Sequence, residues 1–280
     1  MRVSDIVDLR TYPIHDLESA AGKDLIRHIR QELEEDGSCV LPGFVHRSAL
    51  TRLASEAREL YDLAYAGPTA VTPYYFNYAL GEAHTGDPEH PTQRKGRRNL
   101  KQVAADLIPG EHTLSRLYFS EEMPAFLGAV LGTTVYRNQD RYQSLNINFQ
   151  NAGGCQQWHF DTAQMVTTLL LQAPEKGGVF EYCPEIRSEE SENFESVRSV
   201  LDGDLSRVKS LQLEAGMLSL FQGRYSMHRV TEVGGDTQRI QAILGYATRP
   251  GLTGSIESSI LHYGPRVAVV EKSLTQGRQV

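Results

Sequence analysis

Cysteine is scarce in this chain: Cys39, Cys155 and Cys183 are the only three in 280 residues. The number is odd and no Cys-x-x-Cys pair occurs, which excludes a disulfide framework and a zinc ribbon and predicts a reducing, cytoplasmic setting. Long apolar runs are missing too. No window holds 18 uninterrupted apolar residues, so no membrane-spanning helix is expected, and the opening stretch MRVSDIVDLRTYPIHDLES lacks the apolar centre of a secretory signal. Basic residues are outnumbered, 28 Lys+Arg against 35 Asp+Glu, and the net charge of −7 disfavours nucleic acid and anionic membranes as partners. There is no internal repeat and no low-complexity linker.

What is present divides by period. Leu25, Ile26, Ile29 and Leu33 show helical spacing over residues 19–36, and Leu50, Leu53, Ala57, Leu60, Tyr61 and Ala64 repeat it over 48–66, with Ser48 placed to cap and Gly67 to stop. Between them Ser38 to Leu41 followed by Pro42-Gly43 reads as a short strand and turn. A third helical stretch covers 113–131, interrupted at Pro124. Residues 67–112 have no period. They contain Tyr74, Tyr75, Phe76 and Tyr78 and a basic run from Arg94 to Lys101, and are expected to form a surface or substrate-covering loop in which Arg97 and Arg98 are exposed or reach a substrate carboxylate.

From about residue 140 the period becomes two. Leu145, Ile147 and Phe149 alternate with polar neighbours, and short apolar runs follow at 166–172, 179–182, 211–213, 217–221, 228–233 and 240–247, punctuated by glycine pairs. An acidic insert at 184–206 holds a short helix that Ser191 is placed to cap. Many short strands at such intervals predict an antiparallel sandwich or barrel with a helical N-terminal half, an α+β, mainly β fold. The expected organisation is a single domain over 1–280: a helical wall and lid over 1–135, the β core over 136–250 and a C-terminal extension over 251–280.

Of nine histidines, only His159 has an acid two residues on, Asp161. On a strand, positions i and i+2 share a face, so imidazole and carboxylate converge. A second histidine from a later strand completes a 2-His-1-carboxylate site with open positions, suited to non-haem Fe(II). His228 is that candidate. Arg239, eleven residues on, begins another strand. Placed beside the His228 strand, its guanidinium would sit where a five-carbon dicarboxylate chelating the metal ends.

His159-x-Asp161, His228 and Arg239 resemble the Fe(II)/2-oxoglutarate dioxygenase pattern, which implies that the β core over 136–250 is a double-stranded β-helix, a cupin-like jelly roll. The stretches Trp158-His-Phe-Asp, Thr168-Leu-Leu-Leu-Gln-Ala-Pro-Glu, Gly177-Gly-Val-Phe-Glu-Tyr, Val200-Leu-Asp-Gly-Asp and Met227-His-Arg-Val-Thr are similar to one subgroup, the radical halogenases of free amino acids and their hydroxylase relatives, over about residues 85–250. The resemblance implies Fe(II) held by His159, Asp161 and His228, 2-oxoglutarate held by Arg239, and O2 as oxidant. It implies a ferryl species that abstracts hydrogen from a C–H bond of a free amino acid or similar small polar metabolite. Halogenases of this group carry a small residue where Asp161 stands, so hydroxyl rebound is the expected outcome. Asn146 is expected to meet 2-oxoglutarate, and Tyr142, Gln156, Trp158 and Thr162 to line the substrate pocket. Strict alternation would put Trp158 and Gln156 on the opposite phase from His159. Desaturation, ring formation or oxidation of a carrier-tethered substrate would use the same site, and a cupin-like binding module is the non-enzymatic alternative. The partner is a small molecule; a homodimer is compatible with the sequence.

Overall fold

A computed structural model describes residues 2–277 of the chain. In chain order its strands are β1 (Ser38–Leu41), β2 (Tyr65–Ala66), β3 (Ala70–Val71), β4 (Gly96–Asn99), β5 (Lys101–Val103) and β6 (Tyr136–Arg137). Then come β7 (Leu145–Gln150), β8 (Cys155–His159), β9 (Val166–Gln172), β10 (Lys176–Gly177), β11 (Phe180–Cys183) and β12 (Lys209–Leu211). The last are β13 (Leu218–Phe221), β14 (Met227–Val230), β15 (Val233–Gly234), β16 (Arg239–Leu244) and β17 (Tyr246–Ala247). The helices are α1 (Ala20–Asp36), α2 (Arg47–Glu59), α3 (Tyr78–Glu82), α4 (Thr113–Tyr118), α5 (Glu122–Leu131), α6 (Phe194–Leu201), α7 (Ile256–Tyr263) and α8 (Arg266–Gly277).

Two antiparallel sheets make the jelly roll. A seven-stranded sheet runs β1-β13-β9-β16-β7-β5-β2 and a six-stranded sheet runs β12-β11-β14-β8-β4-β3. In the larger sheet the two faces differ by residue type, as the period of two requires. Leu145, Ile147, Phe149, Leu169, Leu171, Leu218, Leu220, Ile240, Ala242 and Leu244 point outward into the main core with Ile29, Leu33, Leu53, Leu117, Phe126 and Leu127 of the helices. The opposite face turns Asn146, Asn148, Gln150, Thr168, Ser219, Arg239 and Gln241 into the lumen, all of them buried. A second apolar layer lies outside the smaller sheet, where Trp158, Phe160, Cys183 and Met227 pack on Val197 and Val200 of α6 and on Tyr74.

Helices form in each stretch where the sequence predicts one, with different ends; the 113–131 stretch divides into α4 and α5 ahead of Pro124, and α3, α7 and α8 were not predicted. α1 starts at Ser19, whose hydroxyl accepts from Gly22 N at 3.1 Å, and stops at Gly37, which takes the left-handed conformation at φ 70°. α2 begins at Arg47 without a side-chain cap and ends at Glu59, so Ser48 is not its cap. The chain then turns, because Tyr65–Ala66 pairs with β5. α6 follows Asn193 rather than Ser191, with Asn193 itself at φ 48°. The segment 67–112 differs most from expectation. Instead of a surface loop, it sends β3 and β4 into the smaller sheet and β5 into the larger one. Strands from the N-terminal half thus help close the roll. Among the described residues no helix is long and apolar enough to cross a membrane.

Candidate active site

His159 ends β8 and His228 lies on β14, and the two are direct register partners. His159 Nδ1 is 2.8 Å from the Gln157 carbonyl, and His228 Nδ1 is 2.9 Å from that of Ser226. A carbonyl oxygen only accepts, so each ring carries a proton on Nδ1 and, when neutral, turns the Nε2 lone pair to the lumen. Asp161 is held just past the strand by its backbone N–H, which donates to Gly223 O at 3.1 Å. Its Oδ2 lies 3.2 Å from His228 Nε2, and one ligand atom from each of the three residues lies within 4.8 Å of the others. Two acceptors this close repel unless a cation sits between them. The donor set therefore fits a divalent metal with imidazole and carboxylate preference. Burial, reinforced by the neighbouring His228, pushes the His159 pKa down to about 3, so this ring is uncharged and ready to ligate at neutral pH. Burial alone would raise the Asp161 carboxyl, but the two imidazoles outweigh it and hold the pKa below the usual value.

Arg239 is also buried in the lumen. It is not beside the His228 strand as expected. The Gly234-Gly235 turn carries the chain across to the other sheet, where β16 runs between β9 and β7. The guanidinium reaches the lumen from the facing wall. It is 2% exposed and donates from Nη1 to Gln150 Oε1 at 3.0 Å, while its Nε and Nη2, and Gln150 Nε2, have no partner. Among the described residues no carboxylate pairs with it, and burial lowers its pKa to about 10, which leaves it cationic at pH 7. A buried cation with orphaned N–H groups is costly unless an anion arrives. These donors fit the far carboxylate of a dicarboxylate chelated at the triad. Gly178, at φ 62°, makes room: a Cβ there would stand 3.0 Å from Arg239 Cδ and 2.8 Å from Pro174 Cγ.

There is a second buried guanidinium. Arg98, for which the sequence allowed either exposure or contact with a substrate carboxylate, is 2% exposed and sits on β4 opposite Gln156 of β8. It donates to Gln102 Oε1 and Pro68 O, Gln102 passes the chain to Asn148 Oδ1 at 2.9 Å, and Arg98 Nε has no partner. Arg97, its neighbour, is exposed and pairs with Glu232.

The remaining expected residues divide. Gln156 is brought to the site: its Nε2 lies 2.9 Å from His159 Nε2 and 3.4 Å from Tyr75 Oη. Strict alternation fails here because the pairing shifts from His228–His159 to Val230–Gln156, two residues against three, a β-bulge that brings i and i+3 to one face. Trp158 faces the outer core, with the Arg229 guanidinium 4.5 Å over its ring. Tyr142 is buried in a cluster with Tyr263 and Val267, its hydroxyl donating to Glu271 at 2.7 Å. Thr162 is exposed. Asn146 faces the lumen but spends its Nδ2 on the carbonyls of Tyr142 and Leu145. Gln150 and Tyr75 were missed. Only Gln150 had a local signal, its place on the polar phase of β7.

A family model described as Halogenase D matches residues 80–261, about two thirds of the chain. The chain belongs to the Halogenase D family. No curated protein matches it. The fold of this family member is that of the 2-oxoglutarate-Fe(II) oxygenases. It resembles HygX from Streptomyces hygroscopicus, solved with nickel, 2-oxoglutarate and hygromycin B bound, at 12% identity and a TM-score of 0.55, covering 81% of this chain and 88% of HygX. It also resembles the non-haem α-ketoglutarate-dependent epimerase SnoN from nogalamycin biosynthesis (14% identity, TM-score 0.53, 80% and 83% covered). A Pseudomonas putida prolyl-4-hydroxylase is similar at 15% identity and a TM-score of 0.50, covering 80% of this chain and 100% of that one.

Proposed function

We propose that the chain, as one oxygenase domain, is an Fe(II)- and 2-oxoglutarate-dependent hydroxylase of a free amino acid or a similar small polar metabolite. The observation that carries this reading is the pairing, in one buried lumen, of a complete His159–Asp161–His228 donor set with an acid-free Arg239 on the facing wall. Iron with 2-oxoglutarate and O2 supplies the oxidising power that converts C–H to C–OH, releasing succinate and CO2.

The residues of the chain have separable tasks. His159, Asp161 and His228 hold the metal, and the Gln157 and Ser226 carbonyls hold the imidazoles in the ligating tautomer. Arg239 and Gln150 orient the cosubstrate by its far carboxylate. Phe180 and Phe221 pack on His228, at ring separations of 5.6 and 4.8 Å, and keep water from that side. Asp161 occupies the position a halide would need, which supports hydroxylation in a family named for halogenation. Arg98 supports a substrate with a free carboxylate over a carrier-tethered one, since a thioester or amide would leave the buried cation unpaired. Desaturation or ring formation would use the same residues.

The direct test is a panel of the twenty proteinogenic L-amino acids scored for substrate-stimulated succinate release and for product mass. Stimulation with a gain of one oxygen atom is expected for some free amino acid. A chlorinated product would remove the hydroxylase reading, and no stimulation by any member would remove the free proteinogenic amino acids as substrates.

A further inference from the structure

Unpartnered buried polar atoms mark where a structure awaits a ligand. Arg239 with Gln150, described above, is one such group. Arg98 Nε and His262 Nε2 are two further such atoms. His262 lies in the last turn of α7 and is 5% exposed. Its ring stacks on Phe76 at 5.5 Å and 21°, and lies 5.8 Å from the ring of Tyr75, which is itself 6.1 Å from the His159 ring. Tyr75 also hydrogen-bonds Arg98. Gly67 marks how near the two elements come: a Cβ there would be 3.0 Å from Arg98 Nη1 and 3.2 Å from the carbonyl of Leu261, the residue before His262.

The tautomer of His262 decides what it can bind. Its Nδ1 is 2.7 Å from the Ser258 carbonyl, which only accepts, so Nδ1 carries the hydrogen. In the neutral ring Nε2 is then a pure acceptor. Burial, with the Arg98 charge acting in the same direction, lowers the pKa to about 4, so the ring is neutral at physiological pH. A buried acceptor without a donor is unfavourable, and phenylalanine would fill the same stack at no such cost. The subsite thus offers a cationic donor beside a neutral acceptor. That combination is complementary to a carboxylate with an N–H or O–H donor on the adjacent carbon.

We propose that His262 is a specificity-determining residue that accepts a hydrogen bond from the α-ammonium group of the substrate while Arg98 takes its carboxylate. This rests on the amino-acid reading above and narrows it to substrates whose α-amino group is free. N-acylated amino acids are excluded by bulk and by loss of charge. Deamino acids are penalised by leaving His262 Nε2 unpaired.

The test is calorimetric binding to the full-length protein loaded anaerobically with Fe(II) and 2-oxoglutarate. The probes are the twenty proteinogenic L-amino acids and, for each that binds, its N-acetyl and deamino counterparts. The wild type is expected to bind the amino acid about 10-fold or more tightly than either counterpart, the size of one hydrogen bond to a charged group. His262→Phe keeps the stack on Phe76 and is expected to bind the amino acid no better than its deamino counterpart. His262→Gln restores an acceptor and is expected to recover part of the preference. A thermal midpoint no lower than that of the wild type and an unchanged visible band of the Fe(II)–2-oxoglutarate complex show that both variants retain fold and metal site. If His262→Phe discriminates as the wild type does, the inference about His262 is overturned while the amino-acid reading stands. If no free amino acid binds the wild type, both fall.

Discussion

Arg239 donates one N–H to Gln150 at 3.0 Å and leaves two of its own nitrogens and Gln150 Nε2 without partners, in a lumen where it is 2% exposed. The unmet donors predict a separation of functions. Arg239→Ala removes charged hydrogen bonds to the cosubstrate, each worth about 1.5–3 kcal/mol, so 2-oxoglutarate affinity should fall roughly 100-fold. Iron affinity should stay within about threefold, since no metal ligand is touched. Titration of each variant with Fe(II) and 2-oxoglutarate separately checks this. Equal losses for both would place Arg239 elsewhere in the account.

Gly178→Ala should produce a milder form of the same defect. The added methyl meets Arg239 Cδ and Pro174 Cγ, and the residue must also hold φ 62°. Strain of about 1–3 kcal/mol is expected in the thermal unfolding of the variant, together with weaker 2-oxoglutarate binding. A variant with wild-type stability and cosubstrate affinity would show that the close approach is unimportant.

Acid should destabilise the metal-free protein in a defined window. His262 is held neutral, its pKa lowered to about 4 from an ordinary 6.5. The unfolded chain therefore binds the proton first, and stability falls as pH drops below about 6.5 and levels off below about 4. For this one group the loss approaches about 3 kcal/mol at pH 4. His159, lowered to about 3, adds to it. Denaturant unfolding from pH 7 to pH 4 should show His262→Phe losing less stability than the wild type. Parallel curves for the two proteins would contradict the assignment.

The Gln156 amide lies 2.9 Å from the nitrogen that His159 offers to a metal. It must move when iron binds. Gln156→Ala should bind Fe(II) more tightly by about 2–10-fold, the worth of the hydrogen bond given up. An unchanged or weaker affinity would mean that the amide helps hold the loaded site.

The sequence was most informative where chemistry and local period coincide. His159-x-Asp161 reads as two ligands at a strand end because the period of two acts over three residues. The apolar alternation of Leu145, Ile147 and Phe149 likewise marks the outward face of β7. Legibility failed where the decisive geometry is non-local. A bulge opposite His228 turns Gln156 inward, and no residue in β8 announces it. A glycine turn sends Arg239 to the opposite sheet, which spacing from His228 alone cannot tell from an adjacent strand. Arg98 sits in a basic run that looks solvent-exposed, yet one side of a four-residue strand points to the lumen. His262 becomes part of the site only because α7 folds back over Gly67 and Phe76, more than 180 residues earlier.

The central claim is that His159, Asp161 and His228 hold iron while 2-oxoglutarate chelates it within reach of Arg239. Anaerobic addition of Fe(II) and then 2-oxoglutarate to the full-length protein, followed by visible absorption, tests it most directly. A weak charge-transfer band should appear in the wild type, be absent in His228→Ala, and require far more 2-oxoglutarate in Arg239→Ala. No band in the wild type, or a band that survives in His228→Ala, would contradict the account.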